Sequence, residues 1–295
     1  QDDDELTQAA AKLRCYADEL CSLKAAGLSV QLCQALLRYA AVGGPQHILM
    51  CRPVTSAKCD QYDAALRDIW RRVLDVPVPD NQWWRADLPL RMGGLATGCV
   101  SPRAAAAYLC AWTRTMPEVL RRVGLPNATA LRSVDGDLDA QFGAAEGVLR
   151  ERGVQQGKIP FAPGVQDPRP TRQKQLVEAI HQRTRERAME GMSEPAKGKM
   201  RSASGPGAAA FLLLPTQQDH HVEDDLFRAA VVRRMGGAVR PKAEQQHPTC
   251  ELVGREGRCG MLLDGDQIHG NQCKRGGHIS RRHDRLAKWL AGWLQ

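Results

Sequence analysis

Apolar residues in the first half of the chain recur at intervals of three and four, the spacing of one face of an α-helix. Residues 6–23 show this pattern most clearly and predict an amphipathic helix that Gly27 closes. Ser29 is suited to cap a second helix, and Gly43-Gly44-Pro45 should end it. A third helix is predicted over residues 57–74. We expect the first two helices to pack together as a hairpin.

Three more helical segments are predicted before residue 152. An alanine-rich segment over residues 103–114 follows Ser101-Pro102, a pair typical of a helix start. Pro117 should begin a separate short helix over residues 118–123, and residues 138–150 carry a weaker helical pattern.

The stretch before the alanine-rich segment is predicted to be structural. Trp83 and Trp84 should pack in the core, because no basic or repeated aromatic residues surround them to form a base-stacking platform. The pair Gly93-Gly94 suits a tight turn or a close approach of two backbone segments.

The composition changes after residue 152. Residues 153–172 are rich in Gly, Pro and Gln, and residues 194–207 in Lys, Gly and Ser, so both predict flexible segments. Between them, Thr171 should cap a highly charged helix that extends to about residue 189. Leu176 and Ile180 are its clearest inward positions, and the rest of this helix is expected to be mostly solvated.

Two helices are predicted in the remaining part of the chain. Residues 222–235 form an amphipathic segment, with Leu226, Phe227 and Val231 among the positions expected inside. Residues 280–294 form the second segment, which has two tryptophans on its apolar side.

The fold class predicted from these segments is mainly α, with three regions. Residues 1–152 form a helical, bundle-like region, and residues 153–205 form a linker that contains the charged helix. Residues 206–295 hold one helix, a small irregular Cys/His element similar to a zinc knuckle, and the C-terminal helix.

Charge and cysteine content narrow the class of partner. The 295 residues carry 41 Lys and Arg against 33 Asp and Glu, a formal net charge of +8, which favours an anionic partner. No apolar run approaches the roughly 20 residues of a membrane span, so nucleic acid is preferred to a membrane. Most of the ten cysteines stand in helical or apolar contexts, as in proteins of a reducing compartment, and an intracellular location, nuclear or cytoplasmic, is expected.

The densest chemistry lies between residues 250 and 284. Cys250, Cys259, His269 and Cys273 are soft or borderline ligands that could close a tetrahedral zinc site. This segment has too few apolar residues to fold by burial, so zinc would supply its folding free energy. The eight residues between the first two cysteines exceed the usual spacing of a zinc ligand pair, and His247, His278 or His283 remain alternatives to Cys250.

Basic residues follow these ligands. A phosphate-directed cluster is predicted from four of them: Lys274, Arg275, Arg281 and Arg282.

Two functions other than nucleic-acid binding remain open. One is a metal-dependent nuclease using His278, His283 and Asp284, although few carboxylates lie nearby. The other is a non-catalytic helical interaction scaffold.

The Cys/His segment resembles the C-terminal region of non-LTR retrotransposon reverse transcriptases, just before their restriction-like endonuclease. The resemblance in this segment is carried by Cys259-Gly260, Leu263-Asp264, Gly265-Asp266, His269, Cys273, Gly276-Gly277 and Arg282-His283-Asp284. Two upstream stretches are similar to the same proteins, and together they extend the resemblance to about two-thirds of the chain. They are residues 88–95 (LPLRMGGL) with the alanine-rich helix through Tyr108, and residues 204–216 (SGPGAAAFLLLPT) with the helix that contains Phe227 and ends in Arg233-Arg234-Met235-Gly236.

The resemblance implies an element-encoded protein that binds its own RNA and a DNA target and reverse-transcribes at a nick. The tetrapeptide Tyr16-Ala17-Asp18-Glu19 is similar to the Tyr-Ala-Asp-Asp signature of polymerase palms, but it lies within a helical period rather than on a strand turn, and its last residue is Glu. The chain itself therefore has no polymerase palm with paired aspartates. The palm is expected before Gln1, and the endonuclease carboxylates after Gln295. The sequence therefore predicts a fragment of a longer protein that binds nucleic acid and is not catalytic alone.

Overall fold

The computed structural model describes residues 4–162, 172–205, 207–217, 220–237, 250, 253–254, 257–261 and 284. Over these residues the chain is mainly helical, as the hydrophobic pattern predicts. Contacts divide it into two compact units, Gln1–Met235 and Gly236–Gln295, which are described separately.

The described residues of the first unit lie mostly in α-helices. The helices are α1 (Asp4–Ala25), α2 (Val30–Gly43), α3 (Gln46–Cys51), α4 (Ser56–Leu74), α5 (Trp83–Asp87), α6 (Ala104–Val123), α7 (Ala128–Val134), α8 (Gly136–Glu151), α9 (Gln173–Glu190), α10 (Glu194–Ala203) and α11 (Asp224–Arg234). Short 3-10 turns cover Asp80–Gln82, Leu90–Met92, Gln156–Lys158 and Ala210–Leu212.

The first hydrophobic core lies between α1, α2 and α4. The predicted hairpin of α1 and α2 is confirmed, and α4 packs against both helices. Ser29 caps α2 as predicted, its hydroxyl accepting a hydrogen bond from the Leu32 N–H at 3.3 Å. Trp83 is buried in this core, which confirms its predicted packing role.

Buried Gln31 on α2 joins this core to a segment far along the chain. Its side-chain nitrogen donates to the carbonyl oxygens of Phe211, Leu213 and His220, and its side-chain oxygen accepts from the Val222 N–H at 3.0 Å. One amide side chain therefore satisfies four backbone groups of the segment that leads into α11.

The second core lies between α6, α8 and α9. Phe142 is fully buried there, with its ring centroid 5.5 Å from that of Trp112 and 5.0 Å from that of Phe161. Leu176 and Ile180 of α9 close this core, as the helical spacing predicts.

Helix α6 contradicts the prediction of two helices separated at Pro117. The helix is continuous from Ala104 to Val123, with Pro117 inside it and Gly124, in a left-handed conformation, ending it. A proline inside a helix costs about 3 kcal/mol because it removes one N–H and crowds the preceding turn. Burial of Met116 on one side of the proline, and packing of Leu120 on the other, offset this cost.

Both segments predicted to be flexible contain buried residues. The linker prediction is wrong for residues 153–162, where Val154, Ile159 and Phe161 are buried in the second core. Residues 194–203 form helix α10, which buries Met200. In both segments, residues 153–162 and 194–203, irregularly spaced apolar residues are buried although the residues around them have the composition of a loop.

Local details at other helix starts and faces differ from the predictions. Helix α6 begins after Arg103 without a side-chain cap from Ser101. Leu226 of α11 is 61% exposed, whereas Phe227 and Val231 are buried as predicted. Thr171 and most of the predicted helix over residues 280–294 lie outside the described residues. The boundaries at residues 152 and 205 between the three predicted regions stay predictions.

None of the described helices combines the length and the apolar character of a membrane span.

Candidate functional site

In the second unit, a two-stranded hairpin lies between the first two candidate zinc ligands, Cys250 and Cys259. Strand β1 (Val253–Gly254) pairs antiparallel with β2 (Gly257–Arg258), with Val253 opposite Arg258. Gly257 takes a left-handed φ of 93°, which glycine adopts without strain. A two-residue connection therefore turns the chain back on itself.

Backbone hydrogen bonds extend this pairing to Cys250. Its N–H donates to the Met261 carbonyl oxygen at 2.6 Å, and its own carbonyl accepts from the Gly260 N–H at 3.0 Å. Cys250 thus lies beside the Cys259-Gly260 step despite the eight residues between the two cysteines. It is 2% exposed, while Cys259 is half-buried.

This arrangement suits two ligands of one ion. By the register of the hairpin Cys250 lies opposite Met261, so Cys259 is its diagonal neighbour, and diagonal neighbours on paired strands lie about 7–8 Å apart. Two thiolates bound tetrahedrally to zinc at about 2.3 Å lie about 3.8 Å apart, so both side chains would have to turn towards a shared ion. The eight residues between the two cysteines therefore do not by themselves keep them apart in space. The assignment of Cys250 as a ligand stays a prediction.

The remaining predicted site residues lie outside the described residues. They are His269 and Cys273 for the metal, and Lys274, Arg275, Arg281 and Arg282 for nucleic acid. Within the described part of the chain, no three His, Cys, Asp or Glu side chains are grouped as a metal site.

The hairpin is a feature that the sequence pattern did not predict. The signal that could have found it is a pair of glycines, Gly254 and Gly257, separated by two residues, because glycine favours tight turns. Strands of two residues are too short to show an alternating pattern.

A second candidate site lies in the first unit, around Gly93-Gly94. A Cβ atom at Gly94 would lie 1.9 Å from the Leu88 carbonyl oxygen and 2.5 Å from the Arg85 carbonyl oxygen. One at Gly93 would lie 3.1 Å from the Ser204 hydroxyl oxygen. The predicted close backbone approach is therefore confirmed, and it brings residues 88–95 against the start of the 204–216 stretch.

Arg234 joins these two stretches. This buried side chain donates from Nε to the Gly94 carbonyl oxygen and from Nη1 to the Ala208 carbonyl oxygen, both at 2.9 Å, and from Nη2 to the Leu90 carbonyl oxygen. All three of its nitrogens thus have acceptors. Burial lowers the pKa of Arg234 to about 10.

Two further arginines lie at this junction with nitrogens that lack acceptors. Arg85 is 5% exposed, and its Nε and Nη2 atoms are buried with no hydrogen-bond partner in the described structure. Half-buried Arg185 of α9 donates from Nη2 to the Ser204 hydroxyl oxygen at 3.3 Å, while its Nε is buried without an acceptor. Burial, and then the charge of Arg234, lower the pKa of Arg85 to about 10. Nothing in the sequence separates these arginines from the exposed ones.

Polar contacts hold the segment that follows this junction. Asp63 accepts from the Val100 and Ser101 N–H groups at 2.7 and 3.0 Å, and burial raises the pKa of its carboxyl group. Asp87 accepts from the Cys99 N–H at 3.1 Å. Burial also raises the pKa of the Cys99 thiol well above its ordinary value, which favours the neutral thiol over the reactive thiolate.

Comparison of the chain with protein-family models, with curated proteins and with solved structures finds no match.

Proposed function

We propose that this chain is a nucleic-acid-binding part of a retrotransposon reverse transcriptase, located after the polymerase palm and not catalytic by itself. In this proposal Cys250, Cys259, His269 and Cys273 hold one zinc ion. The zinc orders the segment that presents the basic cluster of residues 274–282 to RNA or DNA.

The observation that carries the proposal is the hairpin pairing of Cys250 with Gly260 and Met261. It supports a shared metal site because the backbone of Cys250 pairs with the two residues that directly follow Cys259. The other two candidate ligands follow within fourteen residues of Cys259, so a single short loop could complete the site.

A second observation supports the resemblance on which the proposal depends. The stretches 88–95 and 204–216, each similar to the same family, are separated by more than one hundred residues but are joined by Arg234. Two motifs of one family are expected to pack against each other if both belong to a single domain of that family.

The test is equilibrium binding of the zinc-loaded chain to fluorescently labelled RNA and DNA at several salt concentrations. Each phosphate contact should contribute about 0.9 to the slope of log affinity against log salt on duplex DNA, and about 0.7 on single strands. Replacing Arg275, Arg281 and Arg282 together by Ala should lower the slope by about 2 to 3. An unchanged slope would remove these residues from the interface.

Arg121→Ala combined with Arg122→Ala is the matched control. Both arginines are exposed at the end of α6, where they pair with Glu118. Removing two cations there should leave the salt slope unchanged. Incubating labelled DNA with the chain and Mg²⁺ tests the nuclease alternative, since cleavage would contradict the proposed lack of catalysis.

A further inference from the structure

We propose that the junction around Gly93-Gly94 binds an oxyanion of the phosphate type, with Arg85 and Arg185 as its donors. This site lies within the first unit. It goes beyond the proposed function and does not depend on the zinc hairpin.

The first argument is the geometry of the Arg85 guanidinium group. Its two unpartnered nitrogens, Nε and Nη2, form one edge of the planar group, with both N–H bonds directed to the same side. That edge matches two oxygens of a phosphate or carboxylate, to which arginine binds in a bidentate manner. A single carbonyl acceptor would leave one of the two donors unsatisfied.

The second argument is the balance of charge. Arg85 and Arg234 are both buried, and neither is in an ion pair in the described structure. Arg234 has carbonyl acceptors for its donors, but carbonyl groups do not neutralise its charge. A buried cation without a counter-charge is strongly unfavourable, and here two of them are close enough to affect each other. An anion at the junction would remove both penalties.

The third argument is a second arginine with an unused donor near the same glycine pair. Arg185 reaches Ser204, and the Ser204 hydroxyl lies against Gly93. The Ser204 hydroxyl donates to the Met200 carbonyl oxygen at 2.7 Å, so it receives a hydrogen bond from Arg185 rather than giving one. The Nε of Arg185 is buried without an acceptor, so it remains available to an anion.

The Nε and Nη2 atoms of Arg85 are covered in the described structure, so an oxyanion reaches them only when the groups that cover them move apart. Binding should therefore be slower than diffusion and should raise the stability of the first unit.

The experiment is calorimetric titration of the whole chain as purified with inorganic phosphate at constant ionic strength, with chloride as the reference anion. We expect saturable binding of one phosphate. Hydrogen bonds to charged groups contribute about 1.5–3 kcal/mol, so Arg85→Met should weaken binding about ten- to a hundredfold. Arg185→Met is the second variant, and it should also weaken phosphate binding. It keeps the test available if Arg85→Met does not fold.

The matched control is Arg91→Met, because Arg91 lies in the turn that leads to Gly93 but is exposed and paired with Glu178. It should bind phosphate as the wild type does. Titration with a short single-stranded oligonucleotide lacking terminal phosphates identifies the source of the bound oxyanion. Oligonucleotide binding that depends on Arg85 indicates a nucleic-acid phosphodiester. Binding of inorganic phosphate alone indicates a free phosphate. No saturable binding of either, or binding that Arg85→Met leaves unchanged, would overturn the proposal. Zinc content should be the same in all variants, which separates this result from a failure of the zinc hairpin.

Discussion

Replacing Gly94 by Ala tests the close backbone approach on which the junction depends. The added Cβ would lie 1.9 Å from the Leu88 carbonyl oxygen, whereas comfortable contact needs about 3.5 Å, so the two segments must separate by roughly 1.5 Å. Such a movement would break the hydrogen bonds from the Leu95 N–H to the Ala86 carbonyl oxygen and from the Ala96 N–H to the Leu88 carbonyl oxygen.

The expected cost follows from these contacts. Overpacking typically costs about 1–3 kcal/mol, and each lost hydrogen bond about 1 kcal/mol. We therefore expect Gly94→Ala to lower the free energy of unfolding by at least about 3 kcal/mol, a large fraction of the stability of an ordinary domain. Urea denaturation followed by far-ultraviolet circular dichroism measures this change.

Gly143→Ala is the matched control in the same protein. Gly143 lies within α8, and a Cβ atom built there would meet nothing within 4 Å. Alanine should therefore stabilise the protein by about 0.5–1 kcal/mol through its helix propensity. If Gly94→Ala changes the stability by less than about 0.5 kcal/mol while Gly143→Ala behaves as expected, the close approach of Gly94 to Leu88 is wrong.

Two other variants test the first core and its buried carboxyl group. Gln31→Ala should lower the free energy of unfolding by about 2 kcal/mol or more, because it leaves buried backbone groups unsatisfied. The control is Gln61→Ala, which should have almost no effect because Gln61 is exposed. Equal urea midpoints for the two variants would contradict the role of Gln31. The raised pKa of Asp63 means that its contribution to stability is fully present below the ordinary value of 3.8 and is lost as the pH rises through the folded-state pKa. Urea midpoints at a series of pH values from 3 to 8 should therefore show a decrease above about pH 4 in the wild type that is absent from Asp63→Asn, and parallel pH profiles would refute this assignment.

The strongly periodic helices could be predicted from the sequence. In α2 the apolar spacing, the cap at Ser29 and the terminal glycines all indicate the same boundaries, and the structure has them. Local rules were wrong where tertiary packing outweighed them. Pro117 does not interrupt α6, and Ile159 and Phe161 are buried although the composition around them is that of a linker.

The two candidate sites differ in how far the sequence predicted them. The cysteines are conspicuous as residue types, but the pairing of Cys250 with Gly260 depends on a hairpin too short to leave a periodic pattern. The arginine junction was not predicted, because burial of Arg85 and Arg234 results from contacts between segments far apart in the chain. A basic residue that is buried by such contacts has the same local sequence signature as a solvated one.

The most direct test of the central claim is the zinc content of the purified chain, measured by atomic emission together with the protein concentration. The proposal predicts about one zinc per chain, a large loss of zinc in both Cys250→Ser and Cys259→Ser, and no loss in Cys51→Ser, whose thiol is exposed on α3. A zinc content near zero in the wild type, or one that neither Cys250→Ser nor Cys259→Ser reduces, would contradict it.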